Sequence, residues 1–136
     1  MKKIKLHDKE FRLLLEASVI DSAIQELAQK LNRDLEGEKP LFLSVLNGSF
    51  MFTSDLIKQI TLHGTEICFI KIASYAGTCS TGKVRELIGF NKNIEGRTIV
   101  ILEDMIDSGN SMAYLLDLLA ARHPKKIVVA TMFYKP

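Results

Sequence analysis

The chain has 136 residues, 47% of them hydrophobic and 25% charged, with a formal net charge of +2. That composition belongs to one soluble globular domain able to bury roughly two thirds of its unfolded surface. A charge this small argues against nucleic acid or an anionic membrane as a partner. No window approaches the ~18 apolar residues of a membrane span, and Lys2 and Lys3 are not followed by an apolar signal core, so the protein reads as cytoplasmic.

In chain order, Met1 to Leu15 reads as one or two short strands. Ser18 followed by Asp21 has capping-box spacing. Ile20, Ile24, Leu27, Leu31 and Leu35 then form an apolar stripe at helical period, predicting an amphipathic helix that ends near Gly37. Pro40 opens an apolar strand, Leu41 to Leu46. The turn Asn47-Gly48-Ser49 follows, then a helix carrying Phe50, Met51, Leu56, Ile57 and Ile60. This unit fits neither the Walker pattern nor the dinucleotide glycine pattern, and on its own it reads equally well as an ordinary connection. Glu66 to Ser74 and Val84 to Phe90 read as strands joined by Tyr75 to Lys83, YAGTCSTGK, a linker without apolar anchors. Such a segment is either a plain surface loop or a working one. Cys68, inside an apolar strand, is expected to be a buried thiol; with Cys79 and three scattered histidines it makes no metal or redox spacing. Asn91 to Arg97 is a polar turn.

The stretch Thr98 to Leu116 carries the densest chemistry. Thr98 to Leu102 is a short β-branched and apolar run suited to the centre of a parallel sheet, and Met112, Leu115, Leu116 and Leu119 recur at helical spacing. A strand that feeds a helix directly aims the helix's first amides at the carboxyl edge of the sheet, a ready anion site. Gly109 lets backbone approach a ligand, Ser108 and Ser111 offer hydroxyls, and the amides from Ser108 to Met112 favour a phosphate. Glu103 and Asp104 are placed where the strand ends, and Asp107 at the mouth of the turn. Three carboxylates beside a phosphate cradle suit sugar hydroxyls, a proton-bearing ring nitrogen or a divalent cation. The plainer alternative is an acidic strand end with Asp107 as a helix cap. Beyond Pro124, Lys125 to Phe133 is a further buried strand, ending at Tyr134, Lys135 and Pro136.

Taken as a whole, Ile99 to Met112 resembles the phosphoribosyl-diphosphate signature of the type I phosphoribosyltransferases: four apolar residues, Glu-Asp, two apolar residues, Asp-Ser-Gly, a variable residue and Ser. Leu46, Asn47 and Gly48, within LNGSFMFTSDLI, resemble the pyrophosphate loop of hypoxanthine and guanine phosphoribosyltransferases, with Asn47 where that family has lysine. The family turns this loop with a non-proline cis peptide, expected here at Leu46-Asn47. Ser74 and Tyr75, with Ser80, Thr81, Gly82 and Val84, resemble the ends of the family's active-site lid, which shields a cation-like intermediate from water. The resemblance covers about Leu41 to Pro136.

This resemblance implies an α/β fold, an open and mainly parallel sheet flanked by helices, in a single domain over residues 1–136. It implies transfer of the 5-phosphoribosyl group from phosphoribosyl diphosphate to a 6-oxopurine base, hypoxanthine or guanine, with release of pyrophosphate and a purine nucleoside monophosphate. Asp107 is then the general acid or base at purine N7, and Ser108, Gly109, Asn110, Ser111 and Met112 cradle the 5′-phosphate. Glu103 and Asp104 hold the ribose hydroxyls and Mg²⁺, directly or through water, and Lys135 donates to the purine O6, favouring oxygen over an amino group. The resemblance also implies a homo-oligomer, dimer or tetramer. Family members continue past Pro136 with a hood segment that stacks on the base, so these 136 residues alone are expected to bind a 5′-phosphorylated ribose yet scarcely distinguish GMP from AMP. The alternatives are a phosphoribosyltransferase for another base, such as xanthine or a pyrimidine, and a non-catalytic nucleotide-binding regulator of the same superfamily.

Overall fold

The computed structural model describes residues 3–6, 9–12, 17–74, 84–88, 90, 92–106 and 110–134. Two short strands, β1 (Lys3–Leu6) and β2 (Lys9–Arg12), pair antiparallel. Helix α1 (Ala17–Asp34) starts one residue ahead of Ser18, so Ser18 belongs to its first turn instead of preceding it. Ile24, Leu31 and Leu35 of the apolar stripe are buried, as is Ala28, with Ile20 and Leu27 partly so. Gly37, at φ +84°, takes the left-handed conformation that turns the chain toward the sheet.

Five further strands form one sheet in the order β5-β4-β3-β6-β7. They are β3 (Leu41–Leu46), β4 (Glu66–Ser74), β5 (Val84–Ile88), β6 (Thr98–Ile106) and β7 (Lys126–Tyr134). All neighbours run parallel except the β4–β5 pair at one edge. Helices α2 (Phe50–Ile57) and α3 (Asn110–Ala120) supply crossovers. Alternation along the strands separates two apolar layers. Phe42, Val100, Leu102 and Ala130 pack under α1 and α2, and Leu41, Leu43, Ile99 and Ile101 pack under α3 with Leu115 and Leu119. Asn32 ties α1 to the segment after α2, donating to the Gln59 carbonyl and accepting from the Thr61 amide. Ile60 lies in that segment, beyond the helix that the sequence reading gave it.

The path of the chain decides where a ligand can enter. From β3 it leaves through α2 to β4 on one side, and from β6 it leaves through α3 to β7 on the other side and the other face. The strand order therefore reverses between β3 and β6, and in open α/β sheets a ligand binds beside such a point, at the carboxyl ends of the strands. The amino edge of the sheet is closed by ion pairs instead. Glu38 accepts from Thr98, Lys125 and Lys126, and Glu66 accepts from Lys92 and Arg97.

Two expectations need correction. Strand β6 runs on to Ile106, so Glu103 and Asp104 lie within it instead of at its end. The cause is its partner β7, whose ladder continues as far as Ile106↔Tyr134, while the ladder to β3 stops at Ser44↔Leu102. Cys68 is half-buried instead of buried, since β5 pairs with β4 only from Lys71 onward.

Candidate active site

Where β6 loses its β3 neighbour, after Leu102, it presents Glu103 and then Asp104. Beside it, β3 ends at Leu46 and turns through Asn47 and Gly48, both exposed. The Leu46-Asn47 peptide is cis, as the resemblance implied. Gly48 comes so close to β6 that a Cβ built on it would stand 2.9 Å from both carboxylate oxygens of Asp104. Only a residue without a side chain lets this turn reach the carboxylate, so the structure joins two segments that lie more than fifty residues apart in sequence.

The carboxylates share one environment. Burial, and after it the hydrogen-bonded Asp104 carboxylate beside it, push the Glu103 carboxyl up to about 8. Two partly buried carboxyl groups side by side favour a partner that brings positive charge or hydroxyl donors. This donor set fits Mg²⁺ or a diol. Among the described residues no group of three or more His, Cys, Asp or Glu side chains is assembled to hold a metal by itself, so a cation here would take its remaining ligands from substrate or water.

Asn110 and Ser111 open α3, and their amides, with that of Met112, belong to its first turn, which lacks partners within the helix. Met112's own side chain packs into the layer under α3, leaving only its backbone for a ligand. Asp107, Ser108 and Gly109 lie outside the described residues, whose nearest members in sequence are Ile106, the last of β6, and Asn110, the first of α3. Ser74 ends β4 at the same edge. Tyr75 and Lys135 also lie outside the described residues.

The sequence reading missed two features. Lys71 on β4 pairs in register with Leu46, bringing a cation to the strand position beside the turn. Ser44, Ser49 and Thr53 form a buried hydroxyl cluster under the turn. A serine inside LFLSVL and a Ser/Thr pair four residues apart were the available signals.

An open, mainly parallel sheet with a glycine turn and paired carboxylates at its switch point defines an α/β domain of the kind that places its ligand crevice at the carboxyl edge of the strands. The family of the phosphoribosyl transferase domain matches residues 14–136, and the chain belongs to it. The hypoxanthine-guanine phosphoribosyltransferase of Streptococcus thermophilus is 38% identical over 126 residues, 92% of this chain and 69% of that protein. The bifunctional protein TilS/HprT of Listeria innocua is 36% identical over 132 residues, 96% of this chain but 20% of that protein. The crystal structure of a hypoxanthine phosphoribosyltransferase from Staphylococcus aureus superposes with a TM-score of 0.85 at 33% identity, over 92% of this chain and 68% of that one. The chain thus spans a fifth of the bifunctional relative and about two thirds of the other two.

Proposed function

We propose that the protein containing this chain transfers the 5-phosphoribosyl group from phosphoribosyl diphosphate to N9 of a 6-oxopurine, hypoxanthine or guanine. The products are IMP or GMP and pyrophosphate, a purine-salvage reaction. The observation that carries this reading is the approach of Gly48 to Asp104, which sets a backbone turn suited to pyrophosphate against carboxylates suited to ribose hydroxyls. The names of the relatives support the base class.

The transition state has the character of a ribosyl cation, so the site's task is charge management. Glu103 and Asp104 orient the ribose through its hydroxyls and hold Mg²⁺ directly or through water. Mg²⁺, when bound, supplies positive charge to the leaving diphosphate. The Asn47 and Gly48 amides face the pyrophosphate, and Lys71 adds a cation where Asn47 provides none. The first amides of α3, with Ser108 and Gly109 before it, hold the 5′-phosphate. Asp107 manages the proton at purine N7, the lid begun by Ser74 and Tyr75 excludes water, and Lys135 selects O6. A cytoplasmic location belongs to the same reading, because a multiply charged substrate such as phosphoribosyl diphosphate does not cross a bilayer unaided. Among the described residues, no helix is long and apolar enough to cross a membrane. The protein assembles as a homo-oligomer, dimer or tetramer, and the exposed Phe50, Met51, Ile67 and Phe69 offer the surface.

The test is calorimetry with phosphoribosyl diphosphate and Mg²⁺, then with GMP, followed by pyrophosphate release over a panel of bases. Release with hypoxanthine or guanine and not with adenine or a pyrimidine is expected. Nucleotide binding without turnover on any base would make the protein a regulator instead.

A further inference from the structure

Ser44, Ser49 and Thr53 are almost fully enclosed, at 0%, 0% and 4% exposure, and no buried polar side-chain atom among the described residues lacks a partner. Ser44 Oγ lies 2.7 Å from Ser49 Oγ and 2.7 Å from Thr53 Oγ1, and Ser49 Oγ also meets the Val45 carbonyl. A hydroxyl has one proton, and a carbonyl only accepts. Ser49 must therefore donate to Val45, which leaves Ser44 to donate to Ser49, and Ser44's proton being committed, Thr53 must donate to Ser44. The direction of every bond follows: Thr53 to Ser44 to Ser49 to the Val45 carbonyl. Hydrogen bonds aligned in this way polarise one another in a dry interior.

The chain of hydroxyls links three elements. Thr53 is on α2, Ser44 is inside β3, and Ser49 closes the turn that carries Gly48 to Asp104. Its last acceptor, Val45, is the residue before Leu46, where the turn begins. None of the three side chains is exposed to a substrate. We propose that this one-way hydroxyl chain fixes the Leu46–Ser49 turn at its distance from Asp104, which makes Ser44, Ser49 and Thr53 positioning residues for the pyrophosphate side of the phosphoribosyl donor. The proposal rests on the transferase reading above and names the part of the fold that sets donor binding.

Thr53 separates a hydrogen-bonding role from a packing role. In the full-length protein, Thr53→Val keeps the shape and loses the proton, whereas Thr53→Ser keeps the proton and loses the methyl. The Michaelis constant for phosphoribosyl diphosphate is expected to rise about threefold in Thr53→Val and about tenfold in Ser44→Ala and Ser49→Ala, nearer the turn, with that for hypoxanthine within about twofold throughout. Thr53→Ser is expected to recover most of what Thr53→Val loses. Equal behaviour of the two Thr53 variants, or a rise shared equally by both substrates, would overturn the proposal. Amide exchange provides a readout independent of catalysis: Ser44→Ala should speed exchange at Gly48, Ser49 and Phe50 while leaving β6 and β7 unchanged. A wild type with no transferase activity would sink the functional reading alone, and exchange at those amides would still decide the positioning role, unchanged rates overturning it.

Discussion

Gly48 and Asp104 are held so close that any β-carbon on the glycine would enter the carboxylate, at 2.9 Å from each oxygen and 3.2 Å from its carbon. Among the described residues the glycines with positive φ are Gly37, Gly64 and Gly96, and Gly48 is not one of them. Its role is room, not backbone freedom. Gly48→Ala should therefore fold, because what must yield is the end of a side chain and not a strand, and its thermal midpoint should stay within about 4 °C of the parent. Turning Asp104 aside disturbs the ribose and pyrophosphate ends of the donor together, so kcat/KM for phosphoribosyl diphosphate should fall at least ~10-fold. A variant that fails to fold, or one that keeps full activity, would contradict this account.

In the sequence Asp107 falls between the last residue of β6, Ile106, and the first of α3, Asn110, and it is the general acid or base of the proposed reaction. General acid–base catalysis contributes ~10² to 10⁴ in rate, so Asp107→Asn in the full-length protein should lose at least the lower figure in turnover. Donor binding, measured by calorimetry, should survive. Near-normal turnover would end the assignment and return Asp107 to the role of a helix cap.

Periodicity made much of the fold legible. Leu41 to Leu46 and Glu66 to Ser74 are strands to the residue, since a short apolar run between turn signals leaves few other choices. The acidic pair was also legible, but its setting was not. The sequence puts Glu103 and Asp104 where the strand ends, because charge inside a strand is uncommon, and only the ladder to β7 carries the strand on to Ile106. Phe50 and Met51 read as ordinary apolar residues of a helix, yet both are exposed. Ser44 shows its purpose only when Ser49 and Thr53 are folded over it. Contacts between segments distant in sequence leave no local pattern to read.

Glu38 lies at the opposite edge from the site, with its side chain 16% exposed. Hydrogen bonds from Thr98, then Lys126 and Lys125, hold its carboxyl down at about 2, against 4.5 for the free group. A carboxyl lowered on folding stabilises the protein above the unfolded value, and that contribution is lost as pH falls from 4.5 toward 2. Glu38→Gln should therefore melt below the parent at pH 7, with the gap narrowing steadily between pH 4.5 and 2. Activity per folded molecule should be unchanged, since no group of the carboxyl edge is touched. A gap independent of pH would show that Glu38 acts by shape and not by charge.

The face of β4 beneath α2 is only partly covered. Ile67 and Phe69 are 40% and 42% exposed there, beside Phe50 at 58% and Met51 at 66%, and Ile67, Phe69, Phe50 and Ile57 line a groove of about 270 Å³. Isolated apolar residues on a surface are ordinary, but four large ones together, three of them lining a groove, form the kind of patch on which the proposed oligomer would close. The patch begins at the first turn of α2, directly after Ser49, so a second subunit seated on it would also brace the turn that faces Asp104. A charge at its centre should separate subunits without unfolding them, because the side chain already reaches solvent. Phe69→Glu is expected to lower the mass measured by light scattering to that of a smaller assembly, to keep the thermal midpoint within about 4 °C at fixed protein concentration if the monomer is stable, and to weaken donor binding more than base binding. An unchanged mass would place the interface elsewhere.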